Sequence, residues 1–174
     1  WAEVGAVPRE AAEAIRQRAV PPSPERVAEI EEVTQHDVAA FVDAVAGDLG
    51  ADGRWLHYGL TSSDVLDTAL ALQLREAADL LLEDVEHLLA VTKRLALEHR
   101  DTVMAGRTHG VVAEPTSFGH KVALWAFQLD RDRERLRRAR ETVSVGAMSG
   151  AVGTYAQVDP RIEEEVCARL GLRG

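Results

Sequence analysis

Residues 63–99 contain neither proline nor glycine, and this uninterrupted stretch constrains the chain more than any other feature. Within it Leu66, Leu70, Leu74, Ala77, Leu81, Val85, Leu88 and Leu95 recur at helical spacing and predict one continuous helix. At 1.5 Å per residue such a helix extends about 55 Å, whereas a typical globular helix has only about 11–12 residues. A second apolar set, Val65, Ala69, Leu72, Leu80 and Leu89, lies off the first stripe. Two apolar faces predict burial on more than one side, as inside a helical bundle. A chain of 174 residues has little else with which to cover both faces, so self-association is expected.

Helical periodicity dominates the remainder, and the fold class read from it is all-α. Pro8 suits the first turn of a helix, where its missing N–H costs nothing, and Ala11, Ala12, Ile15 and Ala19 supply an apolar stripe before Pro21 and Pro22 stop it. Trp1, Val4 and Val7, three residues apart, read as part of another helix. Ser23-Pro24-Glu25 combines a capping hydroxyl, a proline at the first position and an acid near the positive helix end. Val27, Ile30 and Val33 then form an apolar face, and Val38, Phe41, Val42 and Val45 form the next one after His36-Asp37. Residues 47–53 read as a loop, and residues 100–116, rich in Gly, Pro and Thr, as a connector.

A second long helix is predicted over residues 117–143. It begins apolar with Val122, Leu124, Trp125, Phe127 and Leu129, and ends in a charged stretch read as a solvated face with pairs such as Glu134–Arg138. Residues 151–155 read as a short extended segment; Asp159-Pro160 caps and starts the last helix, which Gly171 ends.

Composition excludes several classes of function. With 20 Lys+Arg against 29 Asp+Glu the net charge is −9, and no basic run is present, so binding to nucleic-acid phosphates is not expected. The single cysteine, Cys167, precludes an internal disulfide framework and fits a reducing compartment. No run of 18 apolar residues exists to span a membrane, and the start lacks the basic-then-apolar order of a signal peptide. The expected location is therefore cytoplasmic. The chain opens on Trp1 without methionine and closes just beyond a helix, which reads as a segment of a longer protein.

Of six histidines, His87 and His99 have charged neighbours in the long helix and read as solvated, and His120 falls in a first helical turn. The other three stand where helices stop or start: His36 in Thr34-Gln35-His36-Asp37, His57 ahead of Tyr58-Gly59-Leu60-Thr61-Ser62-Ser63-Asp64, and His109 in Gly106-Arg107-Thr108-His109-Gly110. Imidazole titrates near neutrality, so these placements suit acid–base work. Thr61, Ser62 and Ser63 precede a helix N-terminus, whose free N–H groups favour anions, although Ser62, Ser63 and Asp64 also read simply as helix caps. The three histidines match no compact metal-ligand spacing, and one cysteine makes no thiolate cluster, so no metal is expected. Residues 146–153 are glycine-rich but lack the pattern of a nucleotide-binding loop.

Taken together, residues 34–41 (TQHDVAAF), 57–68 (HYGLTSSDVLDT), 106–119 (GRTHGVVAEPTSFG) and 149–156 (SGAVGTYA) resemble the fumarase/aspartase superfamily, and within it the adenylosuccinate lyase branch. The likeness covers nearly the whole chain in the correct order. It implies a small N-terminal helical domain over residues 1–60, then the beginning of a central long-helix domain over residues 61–174. It also implies a homotetramer whose active sites are shared between subunits, a small anionic substrate and no cofactor. The implied reaction is a β-elimination releasing fumarate from adenylosuccinate and from the related succinyl-carboxamide ribotide of purine synthesis.

Carried over by position, His109 resembles the general acid, and His36 is a further candidate for that role. Gln35, Asp37, His57, Thr61, Ser62 and Thr108 stand where the family contacts substrate. The chain departs from the pattern at Gln35 and Ala147, each neutral where the family often carries a cation. A related lyase acting on another substituted succinate, or a non-catalytic helical assembly module, are the alternative readings. The family's serine-rich loop, which carries the catalytic base, is not among these residues. Residues 1–174 alone are therefore expected to release no fumarate from adenylosuccinate, and a rise in fumarate absorbance with the purified chain would refute this.

Overall fold

A computed structural model describes residues 1–174. Six α-helices follow one another: α1 (Arg9–Arg18), α2 (Pro24–Thr34), α3 (Asp37–Ala46), α4 (Ser62–Glu98), α5 (Phe118–Val143) and α6 (Pro160–Leu170). A 3-10 helix occupies Gly50–Trp55. The all-α reading holds with one exception, an antiparallel hairpin of β1 (Val103–Thr108) and β2 (Val111–Ser117) in the stretch expected to be a plain connector. No helix is long and apolar enough to cross a membrane.

The chain divides into two compact units, one of residues 1–70 with 145–174 and the other of residues 71–144, with α4 passing from the first into the second. In the first unit the caps act as their sequences imply. Ser23 accepts the Arg26 N–H at 3.2 Å, and Asp159 accepts that of Arg161 at 3.0 Å. The Arg161 side chain, hydrogen-bonded to Asp159, holds that carboxyl down at about 2. Gly171 closes α6 in the left-handed conformation. Arg18 ties α1 to the 3-10 helix through the Leu49 carbonyl and the Asp52 carboxylate. Residues 1–7 form turns and not a helix; Trp1 packs edge-on against Tyr58, which also meets Trp55. Aromatic packing, rather than helical periodicity, sets the position of that segment. Residues 151–155 are likewise turns and bends, not an extended strand.

Helix α4 is 37 residues long, as the absence of breakers predicts, but the chain covers only one of its faces. The buried positions are Asp64, Thr68, Ala71, Leu89 and Thr92, whereas Leu66, Leu70, Leu74, Leu80, Leu81 and Leu88 are exposed, Leu80 by 66%. The leucine stripe is thus not the core of this chain. Apart from Leu89, small and polar residues form the covered face, where Asp64 and Thr68 hydrogen-bond the backbone packed against them.

In the second unit α5 returns beside α4. Its charged half pairs within itself, with Arg138 to Glu134 at 2.9 Å, and across to α4, where Arg140 grips Asp79 with two nitrogens and both Arg133 and Arg137 meet Glu86. The face read as merely solvated is therefore also an interhelical ion ladder. His99 packs edge-on against Phe118 and bonds Thr102 at 3.2 Å, so it is not a free surface histidine.

At the start of α5 the Gly119 N–H donates to the His99 carbonyl at 2.9 Å, and a Cβ at Gly119 would lie 2.5 Å from Arg100 Cα. Backbone atoms cannot yield as a side chain can. Gly119→Ala is expected to destabilise the fold by about 1–3 kcal/mol, read as a lowered midpoint of thermal or urea unfolding.

Candidate active site

The start of α4 gathers most of the polar residues that the sequence singles out. Gln35 ends α2 with a left-handed backbone (φ 51°), and its side-chain amide donates to the Glu32 carbonyl at 2.8 Å. That bend delivers His36 as the N-cap of α3, its Nδ1 accepting the Ala39 N–H at 3.3 Å. Asp37 Oδ1 accepts its neighbour's N–H from Val38 at 2.7 Å and lies 3.2 Å from His36 Nδ1. The opposite ring nitrogen, His36 Nε2, stands 3.4 Å from Ser62 Oγ. An Nδ1 that accepts a backbone N–H requires the neutral Nε2–H tautomer, which then donates toward Ser62. If the ring takes up a proton, Nδ1 loses its lone pair to the cap and faces Asp37 instead. Two motifs 26 residues apart thereby meet at one helix N-terminus. His57 is half-buried in the turn leading to α4, and Thr61 and Ser62 are half-buried beside it.

Thr108 and His109 belong to the second unit. Thr108 ends β1 opposite Val111, and His109-Gly110 forms the two-residue turn of the hairpin. Both turn residues have positive φ, 51° and 76°. A tight turn of the I′ kind needs this at both positions, which is why glycine follows the histidine. The turn holds the imidazole at the exposed tip of a hairpin.

Three further side chains organise the site without standing out in the sequence. Asp64, 3% exposed, accepts the N–H groups of Thr61, Ser149 and Gly150 at 3.0, 3.0 and 3.1 Å. Thr68, one turn along the same face, both accepts the Ala147 N–H and donates to its carbonyl, each at 3.2 Å. From α6, Glu163 accepts the Met148 N–H at 2.8 Å and the Tyr155 hydroxyl at 2.7 Å. The glycine-rich segment is thus held by side chains of two helices. The signal for this was the small, polar face of α4 at positions 64, 68 and 71, which lies off the leucine stripe. No three His, Cys, Asp or Glu side chains converge on one point.

A helical chain with a hydroxyl- and histidine-bearing helix start, and a histidine at a hairpin tip, has its counterpart in known lyases. The sequence profile of the lyase family, described simply as "Lyase", matches residues 1–174, and the chain belongs to that family, within the fumarase/aspartase superfamily. It is 50% identical over 173 residues to adenylosuccinate lyase of Bacillus subtilis (strain 168), covering 99% of this chain and 40% of the relative. It is 48% identical to adenylosuccinate lyase of Aquifex aeolicus (strain VF5), again over 99% of this chain and 40% of the relative. Among solved structures it superposes on a fumarate lyase from Mesorhizobium sp. BNC1 with TM-score 0.90 and 35% identity, covering 99% of this chain and 42% of that one. A 3-carboxy-cis,cis-muconate lactonizing enzyme from Pseudomonas putida gives TM-score 0.91 and 31% identity over 99% and 41%. The chain therefore spans about two fifths of the length of the curated relatives it matches.

The hydrogen bond to Glu163 raises the Tyr155 phenol above its ordinary 10.0. A group whose value is raised on folding contributes stability that is complete below its unfolded value and is lost as pH rises through the folded one. The Tyr155–Glu163 link is therefore intact at neutral pH and fails only in strong alkali. With Tyr58 replaced by Phe, Tyr155 is the one remaining phenol of two. Its ultraviolet titration is expected above pH 10.0, and Glu163→Gln is expected to bring it down.

Proposed function

We propose that these residues are part of an adenylosuccinate lyase, acting in purine nucleotide synthesis by general acid–base β-elimination. The observation that carries the reading is the meeting of His36 and Ser62 at the head of α4, in a chain half identical to curated adenylosuccinate lyases. In this reading a base takes the proton on the carbon beside a substrate carboxylate, and the electron pair spreads into that carboxylate. The C–N bond then breaks, and the departing nitrogen receives a proton from His109. Fumarate and the amine product leave. Thr61, Ser62 and the N–H groups at the helix start offer hydrogen bonds to the anionic substrate, with Thr108, Gln35, Asp37 and His57 as further contacts and His36 donating through Nε2. The base is supplied by a segment outside residues 1–174.

The domain division at residues 60 and 61 and a cytoplasmic homotetramer with shared active sites belong to the same proposal. The exposed leucine face of α4 supports association, since an apolar stripe of this length is unfavourable in water. Sedimentation of the full-length gene product is expected to give a tetramer, and a monomer would remove this part of the reading.

One observation favours a second substrate. The Gln35 amide is engaged by a helix carbonyl and Ala147 by Thr68, so neither position offers a positive charge to an anion. A lyase for another substituted succinate is thereby the alternative. Fumarate release by the full-length gene product from adenylosuccinate, and not from argininosuccinate, is the expected result; the reverse would select the alternative. His109→Gln is expected to lower kcat by about 10²–10⁴-fold, the usual worth of a positioned proton donor, with a smaller change in KM. Near-normal turnover would remove His109 from the acid role.

A further inference from the structure

Helix α4 has no need of a buried carboxylate in its first turn. Ser62 and Ser63 are capping residues by type, and a carboxylate at 3% exposure is unfavourable unless its oxygens are fully engaged. At Asp64 they are. Oδ2 accepts the Thr61 N–H at 3.0 Å and the Gly150 N–H at 3.1 Å, while Oδ1 accepts the Ser149 N–H at 3.0 Å. Two successive N–H groups of the glycine-rich segment, at Ser149 and Gly150, converge on this one anion, as in a backbone nest. The bonds join residues 85 and 86 positions apart in sequence to a bond within the helix start.

The segments so joined face each other across a cavity of about 300 Å³, lined on one side by Tyr58, Gly59 and Leu60 and on the other by Ser149, Gly150 and Val152. The first side runs directly into Thr61 and Ser62. We propose that Asp64 is a positioning residue of the active site. Its carboxylate fixes the Thr61 backbone and the Ser149–Gly150 backbone at one separation, and so sets both the width of this cavity and the placement of the backbone that carries the Thr61 and Ser62 hydroxyls. The proposal rests on the lyase reading above for its substrate and on the hydrogen bonds themselves for the clamp.

Asp64→Asn tests it with little change of shape. An amide keeps one oxygen, which can serve Thr61 and Gly150, but turns its NH2 toward the Ser149 N–H, donor against donor. Thr92→Val is the control: it removes a hydroxyl buried on the same helix that bonds only to the Leu88 and Leu89 carbonyls, away from the glycine-rich segment. In the full-length gene product, at saturating adenylosuccinate and with folded fractions matched by circular dichroism, Asp64→Asn is expected to lower kcat about 10²-fold, the scale of a misplaced catalytic group. Thr92→Val is expected to keep kcat near wild type. Hydrogen exchange at Ser149 and Gly150 is expected to quicken in Asp64→Asn.

Normal turnover in Asp64→Asn, or equal losses in both variants in proportion to lost stability, would overturn the proposal. If the unsubstituted protein is itself inert toward adenylosuccinate, the substrate reading fails, and exchange alone decides the clamp: unchanged protection at Ser149 and Gly150 overturns it, faster exchange supports it.

Discussion

A helix of 37 residues satisfies its backbone hydrogen bonds internally but leaves its side chains to be satisfied by whatever surrounds it. In this protein that demand is met unequally. One face of α4, small and polar, is covered by the chain itself at Asp64, Thr68, Ala71, Leu89 and Thr92. The opposite face keeps its leucines in the open. The first arrangement makes the site, because a narrow face lets the glycine-rich segment approach until main-chain N–H groups reach the helix side chains. The second supports the proposed association, because exposed apolar stripes of this length are unfavourable in water.

Electrostatics in this acidic chain is local. Arg133, Arg137, Arg138 and Arg140 of α5 are engaged by Asp79, Glu86, Asp130 and Glu134, and Arg161 and Arg169 by Asp159, Glu165 and Glu3. Exposed pairs of this kind each contribute little, about 0–1 kcal/mol. In the proposed reading the contacts to an anionic substrate include neutral donors: the hydroxyls of Thr61 and Ser62, an imidazole N–H and the free end of a helix. Such donors gain strength where water is excluded.

The sequence and the structure agree best where local chemistry decides. Breaker-free residues 63–99 became α4 within one position, and Ser23-Pro24, Asp159-Pro160 and Gly171 mark helix ends as their side chains and backbone freedom imply. They part where a longer-range pairing decides. The hairpin at residues 103–117 includes Gly106 and Pro115, poor strand formers, and a register shift between Ala105 and Arg107, so neither alternation nor propensity announced it. Trp1 follows Tyr58 and Trp55 rather than its own neighbours. Even α4 was legible in extent but not in orientation, since a stripe of leucines reads as a core whether or not the chain can cover it.

The candidate site divides along the same line. By itself the sequence picked out the candidate residues, because hydroxyls, imidazoles and helix-starting acids are visible as types at a helix boundary. Only the tertiary structure decided what those residues face. It set His36 against Ser62, and it turned Asp64 from a helix cap into the anchor of a segment 85 residues away. A cap is fixed by neighbours three or four residues apart, whereas a clamp depends on which backbone amides the packed fold leaves unpaired beside it, and no local pattern encodes that.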